Sequence, residues 1–188
     1  MQRRRFLFSA ALAAPLLTTA CSGQSVPRNI SLSTLQLQQR VASKFPRTFP
    51  VAGLLQLELM APTLTMLPEV NQIKALLPAQ LTGKVLKQNF QGQMEVSFGL
   101  RYVAADRTVR AHGVRIHSLQ IQDAPEALSD MLATYSPRVG EQLLENFVLH
   151  QLEEKDLALA DSMGIEPGAI TVMADGLSVA LQPRKSGS

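Results

Sequence analysis

Few side chains in this sequence could do chemistry: one cysteine, Cys21, and three histidines, His112, His117 and His150. His112 and His117 lie in a stretch that reads as strand. Strand alternation puts residues five apart on opposite faces unless a bulge intervenes. A two-histidine metal centre there would need an acid brought in from elsewhere in the chain. His150 reads as solvated, or as hydrogen-bonded near a helix end. No serine sits in a G-x-S-x-G elbow, and no glycine-rich loop is spaced to cradle a phosphate. Glu153, Glu154 and Asp156 form an acidic group where a helix would begin, which the helix dipole alone explains. Nothing here argues for catalysis, so the expectation is a protein that is not an enzyme, with no metal and no cofactor.

Cys21 has a different context. Three arginines, Arg3 to Arg5, precede an apolar run from Phe6 to Leu17, then small residues, then Cys21. A basic start, an apolar middle and a small-residue end make an export signal. The apolar run is shorter than the roughly 20 residues that span a bilayer. Thr18-Thr19-Ala20-Cys21 resembles a lipobox, where bacterial signal peptidase II cleaves and the cysteine is acylated; Thr18 stands where such motifs usually carry Leu. The alternative is ordinary cleavage after Ala20. Gln2-Arg3-Arg4-Arg5-Phe6-Leu7 also resembles a twin-arginine signal, so the export route stays open. Residues 1–20 are therefore expected to be a signal peptide and 21–28 a lipidated tether. Residues 29–182 are expected to be a single domain and 183–188 a flexible tail.

Charge and composition narrow the class. The chain carries 18 basic and 15 acidic residues; removing Arg3, Arg4 and Arg5 leaves 15 of each. With no basic cluster left, a nucleic-acid surface is not expected. One cysteine allows no internal disulfide. Hydrophobic residues make up 46% and aromatics only 5%, so the core is aliphatic.

The elements follow from spacing. Asn29 to Leu32 predicts a strand, and Ser33-Thr34-Leu35-Gln36 has the form of a capping box. A helix from about Thr34 to Lys44 presents Leu37, Val41 and Phe45, and Phe45-Pro46 ends it. From Val51 the period is two, with Pro62 bending the strand or marking it as an edge. Pro68 to Pro78 supports either a short helical turn or an apolar loop, and Leu81 to Phe90 a second strand. Met94 to Tyr102 is the clearest strand, with Thr108 to Ile121 as its hairpin partner. The apolar phase of that partner slips twice, first at Gly113, which predicts bulges. Asp123 is read as a cap for a helix from about Ala124 to Gln151, broken at Pro137. A short helix from Glu154 to Met163 precedes two closing strands, Ala169–Met173 and Leu177–Leu181.

A curved sheet on such a helix leaves an elongated apolar groove. Its candidate lining is Leu55, Leu57 and Leu59 from one strand and Met94, Val96, Phe98, Leu100 and Tyr102 from another. The helix adds Leu128, Leu132, Tyr135 and Phe147. The same residues would equally fill a solid core.

The Ile30-Ser31-Leu32-Ser33 entry, the strand end Leu81-Thr82-Gly83 and the helical Leu143-Leu144-Glu145-Asn146-Phe147 come in a distinctive order. With the closing Gly164-Ile165-Glu166-Pro167-Gly168-Ala169-Ile170, they make the chain resemble the YceB-like family of bacterial lipoproteins. That family is similar in fold to the tubular lipid-binding superfamily. The resemblance implies an α+β fold, with a highly curved antiparallel sheet wrapped around a long, proline-kinked helix, plus a short N-terminal helix. It implies binding of a lipid or other hydrophobic ligand in the periplasm, at a membrane held through acylated Cys21, and brings no catalytic residues. Ser22 is not the aspartate that retains such proteins at the inner membrane, so the outer membrane is the expected destination. The competing expectation is an envelope interaction module with a packed core and no ligand.

Overall fold

The computed structural model describes residues 29–51, 53–152, 158 and 162–184, with the side chains of 135–140 and 143 outside that description. The expected signal, Cys21 and the tether lie outside it, as do most of the helix expected at Glu154–Met163 and the last four residues. In order come β1 (Asn29–Ser33), α1 (Thr34–Ala42), β2 (Arg47–Val51), β3 (Leu55–Leu59) and β4 (Thr63–Leu67). A 3-10 turn at Pro68–Val70 leads to β5 (Gln72–Gly83), β6 (Phe90–Val103), β7 (Thr108–Ile121) and α2 (Glu126–Leu144). The chain closes with β8 (Val148–Gln151), β9 (Ile165–Met173) and β10 (Gly176–Pro183).

The strands build two antiparallel sheets. The larger runs β2-β3-β5-β6-β7-β8, with β4 also on β5, and the smaller runs β1-β10-β9. β3 pairs with Ala79–Gly83 and β4 with Gln72–Leu76 along β5. The bend between them is at Pro62, which is fully buried. There the Gln38 side chain of α1 replaces the missing ladder: its amide nitrogen donates to the Pro62 carbonyl, and its Oε1 accepts from the Leu64 N–H at 2.9 Å. Paired this way, buried backbone groups keep partners across the break.

The capping box forms as the spacing requires. Ser33 Oγ accepts from the Gln36 N–H at 3.3 Å, and Gln36 Oε1 accepts from the Ser33 N–H at 3.1 Å. Leu37 and Val41 then bury one face of α1. β6 and β7 are the long hairpin, and both phase slips are real. The pairing shifts between Glu95 and Val96, opposite His117, and between Ser97 and Gly99, opposite Gly113 at φ +61°. The second bulge needs glycine because the left-handed region is costly for other residues.

The expected wrapped sheet and long proline-kinked helix are not what forms. The described chain is mostly strand, and the helix expected to run to Gln151 stops at Leu144. Asn146 takes the left-handed conformation at φ +65°, a common helix terminator. Val148–Gln151 then becomes β8 on the edge of β7, pairing with Thr108–Arg110. Leu143, Leu144, Phe147 and Val148 fit a helical stripe, but 147–151 fits period two as well, and only the sheet edge decides between them. Pro125, not Asp123, is the N-cap of α2, and Asp123 itself sits at φ +54°. The stretch 68–78 is the 3-10 turn and most of β5, which runs straight through Pro78; residues 84–89, read as strand, are the turn into β6.

α2 lies against β7 and is not enclosed by the sheet. Beyond Arg110, β7 has no strand partner on that side among the described residues. Its Val114 and Ile116 N–H groups instead donate to the carboxylates of Glu145 and Glu141, each at 3.1 Å. The Ala111 N–H donates to the Phe147 carbonyl at 3.0 Å.

The small sheet packs on β4 and β6 through β9. One side chain ties it down. Asn71, in the left-handed region at φ 53° and ψ 42°, donates from Nδ2 to the Ile170 carbonyl at 3.2 Å and accepts at Oδ1 from the Val172 N–H at 2.7 Å. Its amide stands in for a strand.

A candidate apolar ligand site between the two sheets

Where the small sheet, α1 and the far end of the hairpin meet, they leave a cavity of about 350 Å³. That is the low end of the roughly 300–1,000 Å³ of small-molecule sites. One wall is Leu32 of β1, Ile170 of β9, and Leu177 and Val179 of β10. The other is Leu100 and Tyr102 of β6, Val109 of β7 and Leu149 of β8. Strand alternation supplies each set, since Leu177/Val179 and Leu100/Tyr102 are two apart on one face. α1 closes one side with Leu37.

The polar groups of this cavity are gathered on neighbouring elements. Gln36 and Arg40 are four apart on α1 and therefore on one face; both line the cavity, as do Ser31 of β1 and His150 of β8. Arg40 Nη1 lies 2.7 Å from His150 Nε2. A guanidinium only donates, so in this hydrogen bond Nε2 is the acceptor. Among the described residues, no carboxylate pairs with Arg40.

A second cavity lies between the large sheet and the ends of α1 and α2. It holds about 40 Å³ and is lined by apolar residues alone, among them Val96, Phe98, Val114 and Phe147. At roughly 30 Å³ for a water-sized group, it would hold about one. Leu149 lines both cavities and stands between them.

The expected lining residues therefore divide. Leu100 and Tyr102 line the larger cavity; Val96, Phe98 and Phe147 line the smaller. Leu55, Leu57, Leu59, Met94 and Leu132 are buried in the core and line neither. Leu128 is half-buried against that core, the Tyr135 side chain lies outside the described residues, and so does Cys21. Sequence reasoning missed Arg40, His150 and the small sheet's contribution. The i, i+4 pair Gln36/Arg40 beside a capping box was the available signal, but nothing local says which sheet that helix face meets.

His112 and His117 end on one outer face, because the bulge at Gly113 between them restores the parity that five residues would break. The His117 ring bonds the Ser97 hydroxyl at 2.9 Å, and the His112 ring lies over Gly99. Among the described residues, no three His, Cys, Asp or Glu side chains gather as metal ligands would. Among the described residues, one titration is shifted, at the β6–β7 turn between Tyr102 and Val109 of the cavity lining. A hydrogen bond from the Thr108 hydroxyl at 2.6 Å, aided by Arg110, holds Asp106 below the ordinary aspartate value.

The chain matches no protein-family model and no curated protein. A solved structure of a lipopolysaccharide binding protein is a structural neighbour, with TM-score 0.31 and 16% identity over 80% of this chain and 46% of that one. The chain thus spans less than half the length of that neighbour.

Proposed function

We propose that this protein is a non-enzymatic lipoprotein of the YceB-like kind its sequence resembles. On this reading it is held at the periplasmic face of a bacterial membrane, the outer membrane, through acylated Cys21, and binds an apolar ligand. The observation that carries the ligand reading is the apolar cavity of about 350 Å³ between the two sheets. Such a void forgoes the packing contacts that stabilise a solid interior, which a bound apolar molecule would restore. The anchor rests on the signal-like layout ahead of Cys21 and on nothing in the fold. Among the described residues no helix is long and apolar enough to cross a membrane.

Native mass spectrometry of the full chain tests the ligand. Wild type should carry a co-purifying apolar molecule, and Val179→Trp, which fills the cavity from β10, should lose it while keeping its strand circular dichroism. An empty wild-type protein, or equal loading of the folded variant, would overturn the reading.

The alternative, an interaction module with no ligand, is favoured by the cavity between the large sheet and the ends of α1 and α2, which among the described residues holds only about 40 Å³. Crosslinking to an envelope partner that survives Val179→Trp supports that second reading.

A further inference from the structure

Resting on the ligand reading above, we infer that the occupant is a single-chain amphiphile with an anionic head, and that Arg40 binds the head. The volume sets the chain. At about 30 Å³ for a water-sized group, 350 Å³ holds about 12 methylene-sized groups, one medium acyl chain and not two.

The placement of charge sets the head. Ile170, Leu177, Val179, Leu100 and Val109 line the interior from the two sheets, while Arg40 comes from α1 and is solvent-exposed. Its side-chain partner among the described residues is the His150 ring, which accepts one N–H and brings no negative charge to cancel the guanidinium's. A guanidinium offers five donors in a planar fork that matches a carboxylate or a phosphate. One bond to His150 leaves donors over for such a head. Gln36, on the same helix face, and Ser31 on β1 add neutral groups beside it. A neutral head would gain less from this cation than an anionic one, and a cationic head would be repelled.

The test uses the full chain, kept soluble in a non-ionic amphipol, with calorimetric titration of dodecanoate, dodecyl phosphate and dodecanol. Wild type should bind at least one of the two anions more tightly than dodecanol. Which anion binds better tells carboxylate from phosphate. Arg40→Gln should weaken the preferred anion by about tenfold or more, the scale of a charge-assisted hydrogen bond, and leave dodecanol within about twofold. Arg40→Lys, which keeps the charge and loses the fork, should fall between. Equal binding of all three ligands by wild type and Arg40→Gln overturns the inference while leaving the apolar-ligand reading intact. Failure of every ligand to bind wild type overturns both.

Discussion

Replacing Asn71 by alanine probes the joint between the sheets, and the structure gives its size. The Asn71 amide is the partner of the Ile170 carbonyl and of the Val172 N–H, whose residue is only 2% exposed. Leaving a buried donor unpaired costs about 1–3 kcal/mol. Alanine must also hold φ +53°, at about 1–2 kcal/mol for a residue with a Cβ. The expected loss is therefore about 2–5 kcal/mol for Asn71→Ala. Asn71→Gly removes the same hydrogen bonds but is at ease in the left-handed region, so it should recover about 1 kcal/mol. Equilibrium urea denaturation of the full chain, followed by far-UV circular dichroism because the chain has no tryptophan, measures both. If Asn71→Ala unfolds within about 0.5 kcal/mol of wild type, the clamp is not holding the sheets. If the glycine variant is as unstable as the alanine one, the backbone part of the reasoning fails.

Two more outcomes follow from close contacts and from charge. A Cβ on Gly92 would overlap the Gln120 carbonyl oxygen, which is fixed in the β6–β7 ladder, whereas one on Gly99 meets the His112 ring tip at 3.0 Å, which can swing aside. Gly92→Ala should then cost about 2 kcal/mol or more and Gly99→Ala distinctly less in the same denaturation assay; equal losses would contradict this. Asp106 titrates below the ordinary 3.8 in the folded chain, so its contribution is present above that value and fades as pH falls through the lowered one. Wild type should lose its small advantage over Asp106→Asn between about pH 5 and about pH 3, and parallel stability curves would count against the Thr108 and Arg110 contacts.

What could be read from the residues was local. The capping box at Ser33, the hairpin of Met94 and Thr108, and both bulges follow from spacing plus Gly113, because neighbouring side chains alone decide them. The path of β5 through Pro78 was hidden, since a proline in a strand is acceptable only where its missing N–H has no ladder partner to lose. β8 was hidden for a related reason: Val148 to Gln151 serves helix or strand, and the β7 edge made the choice after Asn146 turned the chain. The candidate site was the least legible part. Leu100 and Leu55 are alike in type and pattern, yet the first lines the larger cavity and the second is packed in the core. A void depends on how far apart two curved sheets stand, and that distance is held by distant groups such as Asn71.

The carboxylates of Glu141 and Glu145 on the β7 backbone also bear on how this chain behaves in company. A long strand with an open side is a template on which another chain can add. Along Val114 to Ile116 that side is occupied by groups that accept hydrogen bonds and offer no N–H in return. An incoming strand would have to strip both acids away and push α2 aside before it could pair. At the opposite end of the sheet, β2 carries Pro50, which has no N–H to offer. α2 thus acts as a guard rail that keeps the sheet from growing into its neighbours.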